Sequence, residues 1–158
     1  MSHFTRMGLP VILAVLGLAS SATAAPVTPH NPDGLVAALQ AAGYQAKLSK
    51  TDDGSPEITS AAGGNNILIA FSGCDKGANC DYLEFIATWD CSADVKKCDD
   101  MQAQWSKEEH VGTIMKSASQ VAMYHYLVVG GGNVSDDTFI NTFEYFARDA
   151  NEFEKLYK

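Results

Sequence analysis

The sequence predicts an α+β fold, with a single domain in which helices pack against an antiparallel sheet. Most of residues 44–129 alternate apolar and polar side chains with a period of two, which is typical of strands with one buried and one wetter face. The segments on either side, 32–42 and 136–156, place apolar residues at helical spacing instead. A chain of 158 residues is long enough for one domain with a substantial core, and no internal repeat indicates a second domain.

The predicted elements follow the order α-β-β-β-β-α-β-β-α and begin with a helix over residues 32–42. Asn31 supplies a capping side chain, Pro32 suits the first turn, and Gly43 is a natural stop. Two strands then flank the turn Asp52-Asp53-Gly54, which is typical of a hairpin; they are Tyr44–Lys50 and Glu57–Ala61.

Residues 66–72 and 81–90 are the next two predicted strands, because each places alternate apolar residues on one face. Residues 99–110 have helical composition, and the paired Asp99 and Asp100 favour a helix start there. A second hairpin follows, with predicted strands at Val111–Lys116 and Gln120–Val129.

The last predicted helix begins at Ser135, with Asp136 and Asp137 in its first turn, and runs to about Leu156. Its apolar residues are spaced alternately four and three apart: Phe139, Phe143, Phe146, Ala150, Phe153 and Tyr157. That spacing could form a coiled-coil seam with another helix. An amphipathic helix of this kind more often covers the sheet of its own domain, which is the arrangement we expect.

Residues 1–24 are predicted to be a secretory signal peptide. Arg6 provides the positive start, an apolar run follows over residues 8–19, and Ala22-Thr23-Ala24 suits a signal peptidase. That run is too short to cross a bilayer as a helix, and no cysteine follows it, which argues against a lipoprotein. We therefore expect a periplasmic or secreted protein with a flexible leader over 25–31, a domain over 32–158 and no membrane span after cleavage.

The charge balance excludes some classes of partner. The chain carries 11 Lys and Arg against 19 Asp and Glu, a net charge of −8. Removal of residues 1–24, whose only Lys or Arg is Arg6, leaves 134 residues with a net charge of −9. Binding to nucleic acid or to anionic lipid depends on clustered Lys and Arg, so neither is expected as a partner.

Four cysteines lie within twenty-five residues, at Cys74, Cys80, Cys91 and Cys98. In an oxidising compartment an even count in a short stretch predicts two disulfides. A hairpin would place Cys74 beside Cys80, whereas Cys91 lies about 36 Å from Cys80 along an extended strand. A disulfide requires Cα atoms within about 7 Å, so the predicted pairs are Cys74–Cys80 and Cys91–Cys98. A zinc site or a redox pair would favour tighter spacings such as C-x-x-C.

No standard catalytic, metal-binding or nucleotide-binding motif is present, so we predict no catalytic residue, no metal site and no cofactor. His110 is expected to cap the end of the middle helix. His125 lies in a predicted strand between Tyr124 and Tyr126. A lone histidine in that setting is more often an inward, hydrogen-bonded side chain than a catalyst.

The pattern after the leader resembles the YbjN-domain family of bacteria over roughly residues 32–157. The features that carry the resemblance are Leu39 to Gly43, the 67–71 strand with Cys74, Cys80 followed by Leu83-Glu84-Phe85, Trp105, and Gly131-Gly132-Asn133-Val134-Ser135. The family usually has asparagine after the tryptophan, where this chain has Ser106.

The resemblance implies a small, non-enzymatic α+β module that acts in regulating sensory transduction, with a fold like that of type III secretion chaperones. It implies no catalytic residues, and none are assigned. Fold likeness alone does not establish a function.

Two hypotheses for function follow. The first is a non-enzymatic interaction or regulatory module of the periplasm with an unknown protein partner, a homodimer through a helix face or sheet edge being one option. The second is a small-ligand-binding protein or undetected enzyme that uses the sheet around Tyr124, His125 and Tyr126. We favour the first, because an active site normally shows a nucleophile–base or metal grouping.

Overall fold

The computed structural model describes residues 27–108, 110–130 and 132–158. Within these ranges it confirms the predicted α+β fold and element order, with three helices and one six-stranded sheet. The elements are α1 Pro32–Ala41, β1 Gln45–Lys50, β2 Pro56–Ala62, β3 Asn65–Ser72, β4 Tyr82–Asp90, α2 Val95–Trp105, β5 Thr113–Lys116, β6 Gln120–Val128 and α3 Asp136–Tyr157.

The sheet has the strand order β1-β2-β3-β4-β6-β5, and every neighbouring pair is antiparallel. Because side chains alternate along a strand, directly paired residues project from the same face. One row across the sheet faces the core and consists of Leu48, Ile58, Ile69, Phe85 and His125. The next row projects from the opposite face and consists of Lys47, Thr59, Leu68, Ile86, Tyr124 and Thr113.

Helix α3 packs its apolar stripe onto the core-facing side of the sheet. The ring centroid of Phe85 lies 6.2, 6.5 and 5.9 Å from those of Phe139, Phe143 and Phe146. All four rings are fully buried. This confirms that the last helix covers its own sheet, so its seam is already occupied within the domain.

Helix α2 begins and ends earlier than predicted, at 95–105 instead of 99–110. The Asp94 carboxylate accepts a hydrogen bond of 2.9 Å from the backbone N–H of Lys97, so Asp94 is the cap. Cys98, Met101 and Trp105 then form the buried face of the helix. The prediction was wrong because the pair at 99–100, which is exposed in the middle of the helix, resembled a helix start.

Both predicted disulfides are confirmed. Cys74 is bonded to Cys80 with a Cα–Cα separation of 3.8 Å, and Cys91 is bonded to Cys98 with a separation of 6.0 Å. The first closes the β3–β4 loop, whereas the second ties the end of β4 to the buried face of α2. Two structural disulfides fit an oxidising, extracytoplasmic location.

Replacing Cys91 and Cys98 together with alanine should lower the free energy of unfolding by about 2–3 kcal/mol, since the open loop regains its entropy in the unfolded chain. Urea unfolding of the variant and of the oxidised wild type measures the difference. A variant as stable as the wild type would contradict a stabilising role for this bridge. The matched control is the Cys74→Ala/Cys80→Ala variant, which leaves the α2 connection intact.

Residue Val27 packs into the core, although the sequence places it in the leader predicted over 25–31. Its side chain is 1% exposed, and its carbonyl accepts a 3.1 Å hydrogen bond from the backbone N–H of Val134. The leader therefore contributes at least one side chain to the fold.

The predicted signal peptide, residues 1–24, lies outside the described residues. Among the residues that the structure does describe, no helix has both the length and the apolar character needed to cross a membrane.

Candidate functional site

The face of the sheet opposite α3 carries a connected set of large apolar side chains. We call it the open-face strip, and its members are Leu68, Ile86, Met115, Tyr124, Tyr126 and Val128. Leu68 is paired with Ile86, and Ile86 with Tyr124, so three strands contribute neighbouring side chains.

The outer part of the open-face strip is unusually exposed for its residue types. Met115 is 58% exposed, Tyr126 is 49% exposed and Val128 is 72% exposed. Over the described ranges, the only other large apolar side chains this exposed are Val95 and Tyr145, which lie on helices. Single exposed apolar residues are ordinary, but several of them on one face of a sheet indicate an interaction site.

Two open grooves extend the same face towards the β1 edge. One has a volume of about 340 Å³ and runs past Thr59, Asn66, Leu68 and Ile86. The other, of about 380 Å³, lies over β1 and β2. The open-face strip thus continues into a furrow with mixed polar and apolar walls.

The charged groups beside the open-face strip are mainly acidic. Glu84 is paired with Tyr126 across β4 and β6, and its carboxylate accepts a 2.6 Å hydrogen bond from the Ser72 hydroxyl. Desolvation, followed by the charge of Glu84, raises the pKa of Tyr126 above its usual value. The shift favours the neutral side chain, which is the usual form of tyrosine and presents a hydroxyl that can donate or accept.

His125 lies on the opposite face from Tyr124 and Tyr126, as expected from the alternation of a strand. Its Nδ1 is 3.0 Å from the carbonyl oxygen of Val111, and because a carbonyl only accepts, Nδ1 carries the proton. His125 is thus an inward, hydrogen-bonded side chain. The structure does not bring it together with the two tyrosines in one site.

His110 lies outside α2, in the connection to β5, so its predicted role as a cap of the middle helix was wrong. Its imidazole stacks on the Trp105 indole, with ring centroids 3.4 Å apart and planes at 12°. The chain after it is held by Asp149 on α3, whose Oδ2 accepts hydrogen bonds from the backbone N–H groups of Val111 and Gly112 at 2.7 and 3.0 Å.

Sequence reasoning named Tyr124 and Tyr126 but missed Met115 and Val128. The signal was available, because both follow the period of two on the polar side of the second predicted hairpin. It also missed Asp149, which interrupts the buried stripe of α3 as a charged residue with 2% exposure.

The comparison with known families agrees with the resemblance seen in the sequence. The YbjN family model, described as "Putative bacterial sensory transduction regulator", matches residues 31–156. No curated protein matches the chain. Since the match includes all nine elements of the fold except the last residue of α3, the chain belongs to the YbjN family.

Proposed function

We propose that this chain is an exported, non-enzymatic regulatory module that acts in the periplasm by binding a protein partner through its open-face strip. The exposure of three large apolar side chains on this one face carries the proposal; they are Met115, Tyr126 and Val128. Leaving these side chains in water is costly, whereas a partner that covers them gains the free energy of their burial. The family description as a regulator of sensory transduction supports a role of this kind.

The chemistry of the face indicates what such a partner presents. Tyrosine and methionine are enriched at protein interfaces, where a large apolar body is combined with an adaptable or polar tip. Glu84 and Glu57 lie on the same face, each held by a hydroxyl, Ser72 Oγ for the first and Ser49 Oγ for the second. A complementary partner therefore offers apolar side chains flanked by at least one basic group.

The export part of the proposal rests on the leader pattern and on the two disulfides. We expect the protein isolated from cells to begin at Ala25 and to be released with the periplasmic fraction. N-terminal sequencing of the isolated protein tests this. A cytoplasmic chain that keeps residues 1–24 would contradict export while leaving the binding surface to its own test.

Charge placed on the open-face strip should abolish partner binding. Tyr126→Glu and Val128→Glu are each expected to lower capture by at least about tenfold, because each replaces apolar contact area with a carboxylate that must lose its hydration on binding. The measurement is crosslinking in intact bacterial cells that express the full chain, followed by quantification of the captured protein.

The chain offers matched controls on its helices. Tyr145 is 51% exposed and Val95 is 43% exposed, so Tyr145→Glu and Val95→Glu introduce the same charge at similar exposure away from the sheet. The proposal requires one captured protein that is kept by the helix variants and lost by the strand variants. Equal behaviour of the two sets, or capture of a second copy only, would overturn the assignment of this face to a regulatory partner.

A further inference from the structure

Three potential metal ligands converge beside the connection between α2 and β5. One ligand atom from each of His110, Asp149 and Glu152 lies within 4.8 Å of the other two. Asp149 and Glu152 are three residues apart on α3, so they project from the same side of the helix. His110 reaches them from a distant part of the chain.

Asp149 is a buried residue, and only one of its two carboxylate oxygens accepts hydrogen bonds in the described part of the chain. Its side chain is 3% exposed, and Oδ2 accepts both backbone hydrogen bonds from residues 111 and 112. Oδ1 accepts no hydrogen bond from any residue in the described part of the chain. Its nearest cation is Arg148, whose Nη2 is 3.8 Å away, beyond hydrogen-bond distance. Asp149 lines a shallow cavity of about 510 Å³ that is open to solvent, together with His110 and Glu152.

The imidazole of His110 is held in place on its other side. It stacks on Trp105, and the Trp105 indole N–H donates a 3.1 Å hydrogen bond to the carbonyl of Gly112. Stacking restricts the ring without using its nitrogens, so a ring nitrogen remains for a ligand. Two of the three groups are therefore oriented before any ion arrives, which lowers the cost of binding.

Electrostatics favour a divalent cation in this cavity. Its walls carry the carboxylates of Glu108, Asp149 and Glu152 and the single guanidinium of Arg148. An ion of charge +2 would offset the excess of negative charge. A nitrogen ligand beside two carboxylates favours Zn²⁺ and similar transition metals over Mg²⁺ and Ca²⁺, which prefer oxygen.

We propose that His110, Asp149 and Glu152 form a binding site for a divalent transition-metal ion of the Zn²⁺ class. Tetrahedral ligands at about 2.0–2.2 Å from zinc are about 3.3 Å apart. Small side-chain rotations, the largest of them at the exposed Glu152, would close the present separations of up to 4.8 Å. A water molecule or a partner's side chain completes the coordination. The bound ion crosslinks α3 to the segment that leads into β5, and this site is independent of the open-face strip.

Titration calorimetry with ZnCl₂ on the oxidised, EDTA-treated protein without a polyhistidine tag tests the site. We expect one ion per chain, and His110→Gln or Glu152→Gln should weaken binding by at least about tenfold, since even indirect supports of metal ligands have effects of that size. Zn²⁺ should also change the fluorescence of Trp105, because its stacking partner becomes a ligand.

Two variants serve as matched controls. His30→Gln removes an exposed histidine elsewhere, and Glu108→Gln removes the same charge from the same cavity without removing a member of the cluster. Both should bind Zn²⁺ within about threefold of the wild type, well inside the loss expected for a ligand. The unfolding midpoint in EDTA should be unchanged in His30→Gln, Glu108→Gln and Glu152→Gln. His110→Gln loses the stacking on Trp105, so its midpoint should fall slightly, and a single cooperative transition shows that it is still folded.

Three results of these experiments would overturn the proposed zinc site. Absence of Zn²⁺ binding to the wild type overturns the site. Binding that survives both His110→Gln and Glu152→Gln places the ion elsewhere and also overturns it. If Mg²⁺ binds as tightly as Zn²⁺ and Glu108→Gln weakens binding as much as Glu152→Gln, the cavity attracts cations only through its charge, and the proposed coordination is wrong.

Discussion

Replacing Phe143 with alanine should lower the free energy of unfolding by about 3–5 kcal/mol, the range for removing a large aromatic side chain from a core. Phe143 is fully buried. Its ring centroid lies 4.8 Å from that of Tyr44 and 6.5 Å from that of Phe85, so it joins α3 to the sheet and to the residue that precedes β1. The truncation leaves a cavity between these elements, which adds to the lost burial.

Tyr145→Ala is the matched control for this experiment. Tyr145 lies on the same helix two residues further on, is 51% exposed, and contacts the Arg148 guanidinium 4.7 Å from its ring centre. Its loss should cost about 0.5 kcal/mol. Urea unfolding of the oxidised proteins measures both changes. Equal effects at the two positions would mean that α3 does not pack on the sheet through its phenylalanines.

Most of the correct predictions about the fold depended on local signals in the sequence. Asn31 and Ser135 cap the first and last helices through their side chains, where the sequence placed them. The order of the strands in the sheet could not be predicted from such local signals. Strand β4 pairs with β6, although α2 and β5 lie between them in the chain. A period of two indicates which face of a strand is buried, but it contains no information on which strand is its neighbour.

The start of α2 shows how tertiary contacts override a local signal. The Asp99-Asp100 pair fits the positive end of a helix dipole, yet a helix starting there would leave Cys98 outside its buried face. The disulfide to Cys91 and the burial of Trp105 instead select a start at Asp94. Only the packed structure distinguishes the two starts, because both carry a suitable aspartate.

The candidate sites differ in how far the sequence could reveal them. The opposite orientations of Tyr126 and His125 follow from strand alternation, so that part was accessible. The grouping of His110 with Asp149 and Glu152 depends on how the connection before β5 folds against α3. No short spacing marks it, and the one local hint is a charged residue within the buried stripe of that helix.

Asp149, the charged residue within the buried stripe of α3, should be the second large contributor to stability. Asp149→Ala removes the acceptor for the backbone N–H groups of Val111 and Gly112, the second of which is buried. A buried donor without a partner costs about 1–3 kcal/mol, and a partly buried one costs less. Loss of both hydrogen bonds should therefore lower the free energy of unfolding by about 3 kcal/mol, after allowing for the better helix propensity of alanine. The measurement is urea unfolding in EDTA, so that any bound ion does not contribute.

The conservative variant identifies the cause. Asp149→Asn keeps an acceptor oxygen and loses the charge, so it should cost about 1 kcal/mol, the difference between a charged and a neutral hydrogen bond. Amide hydrogen exchange provides a local measurement. In Asp149→Ala the N–H groups of residues 111 and 112 should exchange much faster than in the asparagine variant, while those of β3 and β4 stay protected. If the alanine variant is as stable as the asparagine variant, the two hydrogen bonds add no net stability. The segment before β5 is then held by two other hydrogen bonds, from Trp105 to the carbonyl of Gly112 and from His125 to the carbonyl of Val111.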